Sequence, residues 1–530
     1  MCGFLVSTNP EHRGLCFDTA LRLMQHRGPD VVGNTSSSGR VALGHNRLSI
    51  LDLDQRANQP FIDSSGRYSL VFNGEIYNYL HLARQHDISM RTTSDSELIV
   101  ELYARIGPKM LDELNGMFTL VIHDTLDDSL FVARDRLGIK PLYLYRSDSG
   151  VLLSSEIAPI LSLVGSLPFD EFALRQYRKM RAFFNGRTPY SGIEMFPAAH
   201  WWDGTRFHRY WNLPEGEQQI PDGDELRELV TSAVIDRCIS DVPVGSYLSG
   251  GLDSTIVAGL AEKPDTWTVG FETSNEFDHA RTAATAFNSR HTEVLATVEE
   301  FVPTCEQMIV DRREPLSVPN EVLLFWMTRQ VKTRNTVVLS GEGADELFFG
   351  YDRIFRWAAT SEWNLEEFSR LYSYGSHQDL EVVEDALAPF LCHERAIDIV
   401  GRFFQIAHLH GLLRRLDNST MRCSVEGRVP FVDHRLVGRM AGVPFQQRMP
   451  GGVVKAPLKA VFADLVPESI RNREKIGFPV PLAEVDFPGT SSTLTPMDRW
   501  LQYNLQVLTG GGWEDTSSIG GNTRTQEATG

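Results

Sequence analysis

Cys2 follows the initiator Met1 and precedes the small Gly3. Once Met1 is removed, one residue carries both a thiol and a free α-amine. An α-amine titrates near ~7.7–8, so its neutral form takes the thiol proton and leaves a thiolate nucleophile. Further along, Arg47 in His45-Asn46-Arg47-Leu48-Ser49-Ile50 offers a guanidinium, and Asp95 in Ser94-Asp95-Ser96-Glu97 offers a carboxylate. Asn73-Gly74, within Phe72-Asn73-Gly74-Glu75-Ile76-Tyr77-Asn78, offers donors for an oxyanion, and His26-Arg27-Gly28-Pro29-Asp30 sets another cation beside a turn. Opening the side-chain amide of an amino acid needs such a set: a cation for the α-carboxylate, an anion for the α-ammonium, and N–H donors where charge develops on the carbonyl. Taken singly, Arg47 reads as a surface ion pair, Asp95 as a helix N-cap and Asn73-Gly74 as a hairpin turn.

A different chemistry is written in the second half. Ser249-Gly250-Gly251-Leu252-Asp253-Ser254-Thr255 lies after an apolar run and before a helical one. Glycines let backbone approach phosphates, hydroxyls and helix N-terminal amides donate to them, and Asp253 is a hard oxygen donor for Mg²⁺. The spacing is not that of a P-loop, which needs Gly-Lys-Ser/Thr. A second glycine-rich segment, Leu339-Ser340-Gly341-Glu342-Gly343-Ala344-Asp345-Glu346, places three acids where a parallel strand would end. Metal and acid–base duties suit that position.

The elements that must hold these residues change style along the chain. Apolar runs at 41–43, 70–72, 118–122, 130–133, 142–145 and 151–153, separated by turn residues, predict an antiparallel first half with a helix near 97–105. From about 226, strands at 244–248, 267–271, 291–296 and 336–339 alternate with helical stretches at 254–261 and 280–287, which predicts a parallel sheet. The expected division is a first domain over 1–205, a Pro- and Gly-rich linker at 206–225, a second domain over 226–485 and a mostly disordered tail at 486–530.

Composition sets the outer bounds. With 51 basic and 69 acidic residues the net charge is −18, which argues against a nonspecific nucleic-acid binder. The six cysteines form no C-x-x-C pair, the first ten residues lack a signal-peptide pattern, and no stretch is apolar enough to span a membrane. A reduced cytoplasm is the expected setting.

Together the first-half motifs, extended by Arg134-Asp135-Arg136-Leu137-Gly138-Ile139-Lys140-Pro141 and Ser154-Ser155-Glu156-Ile157, resemble the glutaminase domain of class II amidotransferases. That family has an N-terminal-nucleophile αββα sandwich. The Ser-Gly-Gly-x-Asp-Ser loop resembles the pyrophosphate loop of ATP pyrophosphatases. Both second-half loops, with Ser424-Val425-Glu426-Gly427-Arg428-Val429-Pro430-Phe431, resemble asparagine synthetase over about 226–481.

The resemblance implies Cys2 as nucleophile, with Arg47, Leu48, Ser49, Ile50, Leu51, Asn73, Gly74, Glu75 and Asp95 around glutamine. It implies Leu248, Ser249, Gly250, Gly251, Asp253, Ser254, Val269, Ser340 and Gly341 at ATP, and Asp253 and Asp345 at Mg²⁺. Glu342 falls to the adenylate half-reaction and Lys455 to the transition states. Partners are then small molecules, with no nucleic acid or membrane, and family members often form homodimers. Aspartate is the default acceptor; a sugar uronic acid, a natural-product carboxylate and an inactive regulatory homologue stay open as alternatives. The chain departs from the family at Ala198-Ala199-His200, Asp278-His279, Phe349 and Ala456-Pro457.

Overall fold

The structure, a computed structural model, describes residues 2–373, 378–473 and 480–511. Its first half contributes β1 (Gly3–Ser7), β2 (Val31–Ser38), β3 (Val41–Arg47), β4 (Phe61–Ile62), β5 (Tyr68–Ile76) and β6 (Gly116–Asp124). Then come β7 (Ser129–Arg134), β8 (Tyr143–Ser147), β9 (Gly150–Ser154), β10 (Ile193–Met195), β11 (His200–Trp202) and β12 (Phe207–Arg209). They form two sheets, ordered β10-β8-β9-β1-β3-β2 and β12-β11-β7-β6-β5-β4, with antiparallel pairing throughout.

Successive strand side chains face opposite ways, and here both faces are covered. Phe4 and Val6 of β1 meet Leu43, Val71 and Val121 between the sheets. Leu5 and Ala42 turn outward onto Phe17, Ala20 and Leu21 of helix α1 (Leu15–Arg22). On the far side Leu70 and Phe72 turn onto Leu98, Ile99 and Leu102 of helix α2 (Asp95–Ile106). The outcome is the expected αββα sandwich, each fully buried large side chain contributing about 1.5–3 kcal/mol. Strands β5 and β6 pair without a break from Tyr68↔Asp124 to Ile76↔Gly116, which fixes the Asn73-Gly74-Glu75 end.

The second half begins with helix α3 (Gly223–Asp236) and alternates as expected: β13 (Val244–Tyr247), helix α4 (Leu252–Ala261), β14 (Asp265–Phe271), β15 (Arg290–Ala296), helix α5 (Asn320–Val331), β16 (Val337–Leu339) and helix α6 (Ala344–Leu347). A largely helical stretch includes α7 (Leu409–Met421), after which β17 (Glu426–Arg428) completes a parallel sheet ordered β15-β14-β13-β16-β17. The chain runs from β13 outward to β15, then returns to the other side of β13. Ligands bind at the carboxyl ends of strands beside such a reversal, and the loops after β13 and β16 meet there.

Two boundary expectations change, and one departure from the family finds its place. Strand β12 pairs with β11, so the sandwich runs past 205 to Arg209. Pro457, in the Ala456-Pro457 departure, occupies the first turn of α8 (Ala456–Val461), where its missing N–H has no intrahelical partner to lose. The expected tail at 486–530 contains helix α9 (Pro496–Thr509), capped by Thr495 and buried through Trp500, Leu501, Tyr503 and Leu505. Its apolar positions follow a Ser- and Thr-rich stretch, so composition alone does not reveal the helix. The rest of that tail, 512–530, lies outside the described residues. Trp500 packs on Phe301 and Phe487, with ring centroids 5.7 and 6.0 Å away. Trp500→Ala is therefore expected to lower stability by about 3–5 kcal/mol, read from the denaturant midpoint; an unchanged midpoint would detach α9 from the core.

Candidate active sites

Cys2 stands at the start of β1, buried where the two sheets meet. Its backbone N–H donates to Asn73 Oδ1 at 3.0 Å, its carbonyl accepts from Arg27 Nε at 3.1 Å, and its thiol lies 4.0 Å from the Leu48 carbonyl. Burial pushes the thiol pKa up, against the Leu48 bond and the Arg47 charge. Asn73 Nδ2 is buried with no hydrogen-bond partner among the described residues, an unused donor on the same amide that accepts the Cys2 N–H. Gly74 is required by closeness: a Cβ there would sit 2.1 Å from the Met117 carbonyl oxygen across the β5–β6 pair.

Arg47, at the end of β3, is anchored by the loop that follows. Its Nη1 donates to Asp54 O and Asn58 Oδ1, both at 2.8 Å, and its Nη2 to Leu51 O at 3.1 Å and to Asp52 O. Leu48, Ile50 and Leu51 are buried in the same loop, and Ser49 donates its N–H to Asp30 at 2.7 Å. Ser94 rather than Asp95 caps α2, leaving the Asp95 carboxyl to accept the Ile76 N–H at 2.9 Å. Burial, outweighing those backbone bonds, pushes the Asp95 pKa up to about 7. Glu75 is not free for a ligand alone. Its Oε2 accepts from Arg428 Nη2 of β17 at 3.0 Å in a fully buried pair. Burial raises the Glu75 pKa and Arg428 opposes that rise.

In the second half, the 249–251 loop closes on itself and on α4. Ser249 and Ser254 hydroxyls lie 3.1 Å apart, and Thr255 Oγ1 donates to Gly251 O at 2.7 Å. Gly250 has φ +70, and a Cβ there would strike the backbone of His279 at 2.4 Å. The second loop packs on the first at Gly341, where a Cβ would lie 2.9 Å from the Ser254 nitrogen. Lys455 reaches in from the start of α8, with Nζ 2.5 Å from Asp253 Oδ2 and 2.6 Å from Asp345 Oδ1. Burial works against its charge, yet the two carboxylates raise its pKa above the ordinary lysine range.

These groups line a cavity of about 640 Å³ together with Leu248, Ser340 and Glu342. Glu342 Oε1 accepts from Arg415 Nη2 at 2.5 Å, and Arg415 Nη1 donates to Asn320 at 3.2 Å. Two carboxylates converging on one cation position are a donor set that suits Mg²⁺, which binds through one or two carboxylates plus phosphate oxygens and water. Among the described residues no cluster of three His, Cys, Asp or Glu forms a metal site of its own.

Structure thus brings Cys2, Asn73, Gly74 and Leu48 together, and separately Ser249, Asp253, Ser254, Ser340, Gly341, Glu342, Asp345 and Lys455. Val269 stays inside β14, and Trp267 and Thr268 form the wall beside it. Sequence reading missed Arg415, Asn320 and Glu276. Arg415 stands in no motif, and its neighbours on the helix face, Gly411, Leu412, Asn418 and Ser419, do not single it out. Glu276, held by Arg473, is the acid on the wall, whereas Asp278 is exposed and pairs with Arg281. Phe349 adopts φ +54 and stacks on Phe355 with Arg448 over its ring at 4.4 Å, outside the cavity wall. Ala199 likewise takes a positive φ, +58.

An N-terminal-nucleophile sandwich whose Cys2 adjoins an unused amide donor, joined to a parallel sheet with a glycine-rich loop cavity, defines an amidotransferase fused to a synthetase-type domain. Residues 1–211 match the glutamine amidotransferase domain family, and residues 225–495 match the asparagine synthase family. A Mycobacterium tuberculosis protein is 31% identical over 87% of this chain and 83% of its own. Asparagine synthetase [glutamine-hydrolyzing] 1 of Bacillus subtilis is 28% identical over 91% and 87%, respectively. Asparagine synthetase B [glutamine-hydrolyzing] of Escherichia coli is 28% identical over 86% and 77%. The chain belongs to the asparagine synthase family.

Proposed function

We propose that this chain takes the amide nitrogen of glutamine at Cys2 and joins it to a carboxylate activated by ATP in the second half, with aspartate as acceptor and asparagine, AMP and pyrophosphate as products. The observation that carries the reading is that both sites are assembled in one chain: Cys2 beside the unused Asn73 donor, and Asp253, Asp345, Lys455 and Glu342 around one cavity.

In the first half, Cys2 attacks the glutamine amide carbon and forms a thioester, while Asn73 Nδ2 and the Gly74 N–H receive the oxyanion. Arg47, with Leu48, Ser49, Ile50 and Leu51, faces the α-carboxylate; Asp95 and Glu75 face the α-ammonium. Ammonia released here stays inside the protein, protected from protonation.

In the second half, Tyr247, Leu248, Trp267 and Met327 give the cavity an apolar wall suited to a flat base. Ser249, Gly250, Gly251, Ser254, Ser340 and Gly341 cradle phosphates. Asp253 and Asp345 would hold Mg²⁺, which supplies positive charge against the β- and γ-phosphates. The acceptor carboxylate displaces pyrophosphate to give an acyl-adenylate, and ammonia then displaces AMP. Glu342 takes the proton from the attacking ammonia, and Lys455 follows charge on phosphate and the tetrahedral carbon. A cytoplasmic setting fits six cysteines that are all unpaired, and no described helix is long and apolar enough to cross a membrane.

The direct test is pyrophosphate release with glutamine, ATP and a panel of carboxylates that includes aspartate and uronic acids. Release with aspartate supports the reading, release only with another acid changes the acceptor, and none with any marks an inactive homologue.

The Asp95 environment adds a pH expectation. Burial places its ionisation near 7, so the carboxylate that would receive the ammonium is gained as pH rises through that value. The KM for glutamine is expected to fall by about tenfold per unit below 7 and level off above it. Asp95→Asn should remove the dependence, and a flat profile in the unaltered protein would exclude this role.

A further inference from the structure

We infer that helix α7 couples the two active sites, with Asp417 as the positioning residue at its glutaminase end. The inference rests on the function proposed above and concerns how its two sites are joined. Asp417 Oδ2 accepts from Arg27 Nη2 at 2.9 Å, and Lys140 Nζ lies 3.5 Å from Asp417 Oδ1. All three side chains are at most 2% exposed. Arg27 in turn donates from Nε to the Cys2 carbonyl at 3.1 Å, so the helix reaches the nucleophile's own backbone through one guanidinium. The remaining Arg27 nitrogen, Nη1, binds Glu156 at 3.2 Å; burial opposes that carboxylate's charge, but His26 and Arg27 hold its pKa at about 2. Arg27 is thereby fixed from both sides.

Two residues before Asp417, Arg415 binds Glu342 in the cavity of the second half. Residues two apart project to nearly opposite sides of a helix, which is how one helix reaches into both sites. A second link runs beside it. The N–H of Ser340, in the loop that carries Glu342, donates to the carbonyl of Arg428 at 2.8 Å, and the Arg428 side chain holds Glu75. Buried ion pairs have few alternative arrangements, because a partner that moves away leaves an uncompensated charge. A shift of Glu342 on nucleotide binding therefore moves Arg415 and α7 as a unit, and the Arg27–Cys2 contact with them.

Linkage makes the coupling reciprocal, so it can be read without knowing the acceptor. Alkylation of Cys2 by the diazoketone analogue of glutamine is expected to change the affinity for ATP with Mg²⁺ by about fivefold or more in the full chain. Asp417→Asn, which keeps the shape and removes the charge, should bring that factor to one. A merely structural Asp417 would alter both affinities alike and leave their ratio unchanged. A variant that keeps the unaltered protein's ratio, or a ratio of one in the unaltered protein itself, overturns the inference. Should Asp417→Asn fail to fold, hydrogen exchange in the unaltered protein decides: alkylation should slow exchange in α7 and in 340–345, and unchanged exchange there overturns it. A Cys2 that takes no label refutes the glutaminase reading instead, which separates the two failures.

Discussion

Cys2→Ala is expected to abolish glutamine-supported amide formation, by about 10³-fold or more, while ammonia-supported formation continues. The substitution removes only the sulfur. The N–H bond to Asn73 and the carbonyl bond from Arg27 belong to the backbone and remain, so the junction of the two sheets persists. Glutamate release and amide formation, measured with each nitrogen source, separate the outcomes. Loss of both activities would make Cys2 a structural residue. Intact-mass spectrometry supplies the companion observation: a mature protein that keeps Met1 has no Cys2 α-amine to serve as base.

Asp253→Ala is expected to have the converse effect, lowering pyrophosphate release by about 10³-fold while glutamine hydrolysis survives. Asp253 is one of two carboxylates on Lys455, and it opens α4 at the carboxyl end of β13, where helix N-terminal amides already favour anions. Its loss removes a hard oxygen from the place where phosphates would gather and frees Lys455 toward Asp345 alone. Pyrophosphate release that persists undiminished would displace the nucleotide site from this cavity.

How much of this could be read in the chain differs between the halves for a physical reason. Strands buried on alternate faces announce themselves, and the runs at 70–72, 118–122 and 244–248 lie within β5, β6 and β13, the last extending one residue beyond its strand. Site loops with local glycine patterns were equally visible. Long-range pairing was not. Glu75 reads as a ligand of glutamine by its motif, but its partner Arg428 lies 353 positions away on a three-residue strand. Arg415 and Asp417 sit on a helix whose role depends on what it packs between, and periodicity records only that one side is buried. Helix α9 was hidden by composition, since its anchoring Trp500 and Leu505 are set among polar neighbours.

Strand β17 has only three residues, and its fully buried Arg428 meets a carboxylate supplied from the opposite half. A fragment beginning near residue 223 would leave Arg428 with Glu426 and the Arg237 and Ile239 carbonyls but without Glu75, and would bare apolar ground that Leu48, Tyr77 and Met117 now cover. Such a piece would tend to cling to itself or to strangers. Nitrogen donor and nitrogen user are therefore one inheritance, unable to be traded as separate parts without rebuilding the seam between them.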